Sequence, residues 1–236
     1  MTKMKQSYDY SSITWLECTD STNSDIRRGL DVLDNLSVIA ARFQTAGRGQ
    51  GTHTWLSPKA ENLTFSLLLR FGEGSICPLP ATEAVRITQM ATLSVHSFLA
   101  EEGISARIKW PNDIWVGDKK ICGMLIENIL DGNEVRSSII GIGLNLNQRE
   151  FDPALPNPVS LSQLTGKDYD LEDTLKRVYD NICRRVAQLS SSDGRSELEN
   201  EFGKYLFHLD RSRQELLSGA IEDFEAGKQP RQDSRP

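Results

Sequence analysis

Between residues 105 and 147 the apolar segments are separated only by three short turns, Pro111-Asn112-Asp113, Gly117-Asp118-Lys119-Lys120 and Asp131-Gly132-Asn133. Connections this short return the chain antiparallel, because a parallel neighbour needs a crossover of about a dozen residues or more. Residues 105–110 alternate, with Ala106, Ile108 and Trp110 on one face and Arg107 and Lys109 on the other. Pro111 has no N–H for a ladder, so that strand should end there. Residues 114–116 and 121–130 read as a hairpin, and 135–147 as the strand that follows. The fold is therefore expected to be α+β, with a mixed, largely antiparallel sheet and flanking helices rather than repeated βαβ units.

The rest of the chain adds layers to this sheet. Residues 13–18, 37–43 and 63–70 read as strands. Ser21, Thr22 and Asn23 precede a helix whose apolar face is Ile26, Leu30 and Leu33. Residues 82–102 carry Ile87, Met90, Ala91, Val95, Phe98 and Leu99 at helical spacing, and 171–189 carry Leu171, Leu175, Val178, Ile182, Val186 and Leu189. A last helix is expected over 195–207. A length of 236 residues suits one large domain with a small appendage. The expected layout is a flexible segment over 1–12, one large domain over 13–207, a short further stretch over 208–226 and a disordered tail over 227–236.

Composition closes off several functions. The net charge of −6 argues against a generally basic nucleic-acid binder, though not against a local basic pocket. No apolar run approaches the roughly 20 residues that cross a bilayer, and MTKMKQSYDY lacks an apolar signal core. Cys18, Cys77, Cys122 and Cys183 are widely spaced, which fits a reducing, cytoplasmic setting. His53, His96 and His208 form no ligand pattern for zinc.

Four segments carry residues suited to chemistry. Gly47, Gly49 and Gly51 bracket Arg48 and Gln50 in a loop that can turn backbone N–H groups toward a ligand, or serve as a mobile connection. Arg48 supplies a donor fork for carboxylate or phosphate. Lys109-Trp110-Pro111-Asn112-Asp113 puts a cation, an aromatic, an amide and a carboxylate together; Asp113 suits Mg²⁺, or the stretch is a plain turn. Lys119 and Lys120 precede Gly123, which sits inside a strand. Gly141 and Gly143 clear one strand face, on which a flat ligand could lie within reach of Asn145, or which could simply pack tightly. Together these describe a cationic pocket with no evident nucleophile, built to stabilise charge on a phosphate.

With those residues in view, DSTN (20–23), QTAGRG (44–49), KWPND (109–113), KKICGMLIE (119–127) and GIGLNLN (141–147) occur in the order seen in biotin protein ligases. The chain resembles the bacterial type without an N-terminal DNA-binding domain, over about residues 13–190. The resemblance implies a catalytic fold related to class II aminoacyl-tRNA synthetases. It implies that ATP and biotin are joined as biotinyl-5′-AMP, with Mg²⁺ as cofactor. The biotinyl group then passes to a lysine of a biotin carboxyl carrier protein domain. It also implies site roles. Ser21, Thr22, Asn23 and Gln44 line the biotin pocket, and Gly47, Arg48, Gly49 and Gln50 close over biotin and adenylate. Lys120, with Arg48 and Asp113, carries the chemistry, and Gly123, Gly141 and Gly143 form the floor. Trp55, Lys109, Asn112, Asp113 and Asn145 face the nucleotide. No DNA or membrane partner is implied, and the protein would be a monomer or a homodimer.

Three departures qualify the resemblance. Gln50 and His53 stand where a common form of the family's loop has arginines, which implies weaker retention of the adenylate. Only about 12 residues precede the first strand, too few for a winged helix, so a repressor function is expected to be absent. The 29 residues after Phe207 cannot build the family's five-stranded C-terminal barrel, since strands take about five residues each. A lipoate or octanoyl transferase of the same superfold, or a biotinyl-AMP binding module without turnover, are the alternative readings. The first lacks an RRxSGGG-type loop here.

Overall fold

The structure is a computed structural model that describes residues 9–51, 53–72, 76–155 and 157–207. In chain order the elements are β1 (Ile13–Leu16), α1 (Thr22–Arg28), β2 (Val38–Ala41), β3 (Leu63–Arg70), β4 (Leu79–Pro80) and α2 (Val85–Glu101). Next come β5 (Arg107–Lys109), β6 (Asp113–Val116), β7 (Lys119–Asp131), β8 (Glu134–Leu144), α3 (Leu161–Thr165), α4 (Leu171–Val186) and α5 (Ser192–Tyr205). The sheet runs β1-β2-β3-β8-β7-β6-β5, with the two-residue β4 on β8. The β1–β2 pair is parallel and every other pairing is antiparallel. The expected mixed, largely antiparallel sheet is thus observed.

Period-two alternation divides the sheet into two unlike faces. On β3, Leu63, Phe65, Leu67 and Leu69 enter the main core, while Leu68 joins a small cluster with Ile26 of α1 and Ile139 of β8. On β8, Ile140, Ile142 and Leu144 face the main core. The helices α2, α4 and α5 contribute to that core, and α1 covers part of the other face. The open remainder of the α1 face carries Thr64 and Ser66 of β3 and Gly141 and Gly143 of β8. Because Gly143 pairs with Gly123, and Gly141 with Leu125, it also carries Gly123, Leu125 and Glu127 of β7. This patch positions the site.

Helix α2 is buried around most of its circumference, including Gln89, Thr92, Ser94 and His96. Ser94 Oγ donates to the Met90 carbonyl at 2.7 Å and Thr92 Oγ1 to that of Thr88 at 2.8 Å, which satisfies these hydroxyls inside the core. The sequence reading missed β4 and α3. Helix α3 was nonetheless legible, since Ser160 and Gln163 form a reciprocal capping box and Gly166 ends it at φ 74°.

Two expectations need correction. Helix α1 ends at Gly29, so Leu30 and Leu33 lie beyond it and pack on the Ile26 cluster from the turn that follows. Residues 9–12 do not form a free segment: Tyr10 Oη donates to Asp180 at 2.9 Å and Val38 N–H to the Ser12 carbonyl at 2.9 Å. The expectations for residues 208–226 and 227–236 fall outside the described residues.

Candidate functional site

The site forms where the chain leaves β1, β2 and β5, against the strands β3, β7 and β8. Ser21 sits ahead of α1 in an extended conformation, and its side chain makes no capping bond. Its backbone N–H instead takes Asp20 Oδ1 at 2.7 Å. That leaves Ser21, Thr22 and Asn23, all buried, to turn toward the open sheet face. After β2, Gln44 accepts from the Thr22 N–H at 2.8 Å. The glycine loop then folds back on itself through Gly49 N–H to the His53 carbonyl at 2.7 Å and Trp55 N–H to the Gly47 carbonyl at 3.0 Å.

These segments enclose a cavity of about 460 Å³, large enough for a small organic ligand. Of the expected residues, Ser21, Thr22, Asn23, Gln44, Arg48, Gly49, Gln50, Trp55, Lys109, Asn112, Asp113, Lys120, Gly123, Gly141 and Gly143 line it. Gly47 and Asn145 do not. Gly47 is needed for close packing, since a methyl there would overlap the Trp55 carbonyl. The Asn145 amide donates to the Val159 carbonyl at 3.1 Å and to that of Lys120 at 3.4 Å. It therefore ties β8 to the start of β7 rather than reaching into the cavity. Asn112 is also partly committed, through Nδ2 to the Met124 carbonyl.

The glycine-cleared face does not lie bare for a flat ligand. The space a side chain would take at Gly141 holds the Asn23 amide, and the space at Gly143 holds the Trp55 indole. The glycines thus seat two polar-edged side chains against the sheet. Trp55 Nε1, together with Trp115 Nε1, is buried with no hydrogen-bond partner among the described residues. A buried N–H donor at a cavity wall can be met by an ordered water or by a ligand oxygen.

Arg48, Lys109 and Lys120 line the cavity against a single lining carboxylate, Asp113. A chain of net charge −6 therefore holds a locally cationic pocket. Lys120 Nζ lies 2.7 Å from Asp113 Oδ1 and 6.0 Å from the Trp55 ring centre. Lys109 Nζ lies 4.2 Å from the Trp115 ring centre. Arg48 is half-exposed, with Nη2 3.0 Å from Glu127 Oε2. Cys122, next to Gly123, is no nucleophile, because burial pushes its thiol far up from the ordinary range.

No three His, Cys, Asp or Glu side chains gather as a metal cage among the described residues. Asp113 is a lone carboxylate beside cations. That donor set fits Mg²⁺ shared with phosphate oxygens, and does not fit a resident transition metal.

Sequence reasoning missed three participants. Ser66 is wholly buried and its Oγ donates to Asn23 Oδ1 at 2.5 Å. Its signal was a polar residue within the apolar run LTFSLLLR. Trp115 lines the cavity. Glu127 ends the KKICGMLIE motif and joins Arg27, Arg48 and Asn23, but a motif match does not state what a carboxylate holds.

Residues 15–145 match the biotin/lipoate A/B protein ligase family. The chain is 32% identical over 180 residues to a protein of Paracoccus denitrificans named biotin–[acetyl-CoA-carboxylase] ligase, covering 73% of this chain and 72% of that one. It is 35% identical over 146 residues to the bifunctional ligase/repressor BirA of Bacillus spizizenii, covering 60% of this chain. The match spans less than half, 43%, of that relative's length. Among solved structures, the biotin protein ligase of Aquifex aeolicus in complex with biotin and ATP superposes with a TM-score of 0.70 at 28% identity. That superposition covers 85% of this chain and 80% of the Aquifex chain.

Proposed function

The chain belongs to the biotin/lipoate A/B protein ligase family, and from that premise we propose that it is an ATP-dependent biotin ligase. Its reaction has two steps. A biotin carboxylate oxygen attacks the α-phosphorus of ATP, the bond to pyrophosphate breaks, and biotinyl-5′-AMP forms. The amine of a lysine on a biotin carboxyl carrier protein domain then attacks the biotinyl carbonyl. An amide forms, AMP leaves, and the amine loses its proton to solvent.

The observation that carries this reading is the cationic cavity in an acidic chain. Attack of one anion on another is opposed by their mutual repulsion, and preorganised cations lower that cost. Lys120 is placed to meet the biotin carboxylate and the phosphate, and Arg48 to meet the adenylate from the loop side. Thr22, Asn23 and Gln44 supply a wall of donors and acceptors for a polar ring, and Ser21 opens that wall. Gly49 and Gln50 form the cover that keeps water from the mixed anhydride. Gly123, Gly141 and Gly143 form the floor, with Trp55 laid on it. Lys109, Asn112 and Asp113 face the nucleotide. Holding the two reactants in line contributes much of the remaining rate. Bound Mg²⁺ would neutralise phosphate charge and polarise the α-phosphate, and Asp113 is the residue that would hold it.

The test is biotin-dependent ATP–pyrophosphate exchange, followed by transfer of biotin to a purified carrier domain. Both are expected. Exchange supported by lipoate or octanoate and not by biotin would reassign the substrate. Biotin binding with neither exchange nor transfer would make the protein a binding module.

A further inference from the structure

Glu127 lies on β7, opposite Ile139 and on the cavity face of the sheet, and three groups from two other segments converge on it. Its Oε2 accepts from Asn23 Nδ2 at 2.8 Å and from Arg48 Nη2 at 3.0 Å. Its Oε1 accepts from Arg27 Nη2 at 3.1 Å. Asn23 and Arg27 are one turn apart on α1 and so present to the same carboxylate. Arg48 comes from the glycine loop.

The bonds behind Asn23 have one consistent direction. Asn23 Nδ2 faces two acceptors, Glu127 Oε2 and the Leu125 carbonyl, so Oδ1 must face a donor, which is Ser66 Oγ. Ser66 has spent its proton, so Thr22 Oγ1 donates to Ser66 Oγ across 2.7 Å. Gln44 Oε1 is then served by the Thr22 N–H. The biotin-side wall and the loop arginine are therefore ends of one hydrogen-bonded chain, and Glu127 is its junction.

We propose that Glu127 is a positioning residue of the site. It grips one end of the Arg48 guanidinium, so that the remaining donors of the fork point at the adenylate, and it fixes the Asn23 amide at the pocket wall. A guanidinium has five N–H donors, so holding one nitrogen leaves the others free to bind an anion. This rests on the adenylate-forming reading above.

The sign of one measurement separates positioning from bulk charge. If Glu127 acted on the anionic adenylate only through its charge, Glu127→Gln would make the pocket more cationic and slow adenylate release. If it positions Arg48 and Asn23, Glu127→Gln should speed release, because an amide offers one acceptor oxygen to three donors. The experiment follows release of added biotinyl-5′-AMP from the full chain by stopped flow, in wild type, Glu127→Gln, Arg48→Ala and the double variant, with melting temperatures alongside. Release is expected to be about tenfold faster in Glu127→Gln, the scale of one lost bond to a charged group. The added effect should shrink markedly in the Arg48→Ala background, where only the Asn23 and Arg27 contacts remain. Unchanged or slower release in Glu127→Gln overturns the proposal, and so does an undiminished effect without Arg48. Failure of the wild type to bind biotinyl-5′-AMP would instead overturn the ligase reading beneath it.

Discussion

Lys120 and Asp113 meet at 2.7 Å at the mouth of the β6–β7 hairpin, and each answers a different need of the same site. The ammonium is the cation closest to the glycine floor, since a methyl at Gly123 would touch Lys120 Nζ. The carboxylate fixes the position of that ammonium. Lys120→Ala is expected to lower biotin-dependent pyrophosphate exchange by at least about a hundredfold, the scale for removing one preorganised charge-stabilising group. Far-ultraviolet circular dichroism should stay unchanged, because Lys120 is partly exposed and the strand ladder runs through its backbone. Exchange near the wild-type rate would remove Lys120 from its proposed role.

At the scale of elements, β3 and α1 are joined by buried polar bonds in a region otherwise held by Ile26, Leu68 and Ile139. Ser66 is the link, bonded to Asn23 and Thr22. Ser66→Ala leaves the Asn23 Oδ1 without its donor in a buried place, which costs about 1–3 kcal/mol. At about 2–4 °C per kcal/mol for a domain of this size, the melting temperature should fall by several degrees. Biotin affinity should fall with it, since Thr22 and Asn23 lose their fixed orientation. A thermal scan and a binding titration test this, and a variant as stable as wild type would show that the bond contributes nothing. The strand run itself was readable because short turns permit only antiparallel neighbours. Helix α1 was read too long because the apolar residues after Gly29 pack on the same cluster without being helical.

For the molecule as a whole, α2 is buried around most of its circumference, so its buried histidine reports on global stability. His96 is buried, its Nε2 lies 3.2 Å from the Ala106 carbonyl, and its ring lies 3.9 Å from that of Tyr205. Burial pushes its pKa below the ordinary 6.5; the Ala106 carbonyl opposes this, the nearby Arg185 adds to it, and Glu201 opposes it. The unfolded chain therefore binds a proton that the native chain refuses, and stability rises with pH through this window. Stability should fall as pH drops below 6.5, toward the lowered native value. Glu102 and Glu201, whose pKa values are held below the ordinary 4.5, lose their contribution only at lower pH. Melting temperatures from pH 7.5 to 5.5 should decline less in His96→Gln than in wild type, and equal slopes would contradict the assignment. No helix among the described residues is long and apolar enough to cross a membrane.

The sequence by itself determined the antiparallel meander, the main helices and the four segments that line the cavity. Turn length, apolar period and residue chemistry are local properties, and local properties survive in one dimension. Tertiary structure alone decided how those segments are shared out. It placed Asn23 in the gap at Gly141 and Trp55 in the gap at Gly143, where a linear reading had left room for a ligand. It turned Asn145 away from the cavity and toward the carbonyls of Lys120 and Val159. It also brought Glu127 to Arg48 and Asn23, respectively 79 and 104 residues away along the chain. A hydrogen bond depends on distance and direction in space, and strand register and sheet face supply both only after the chain has folded.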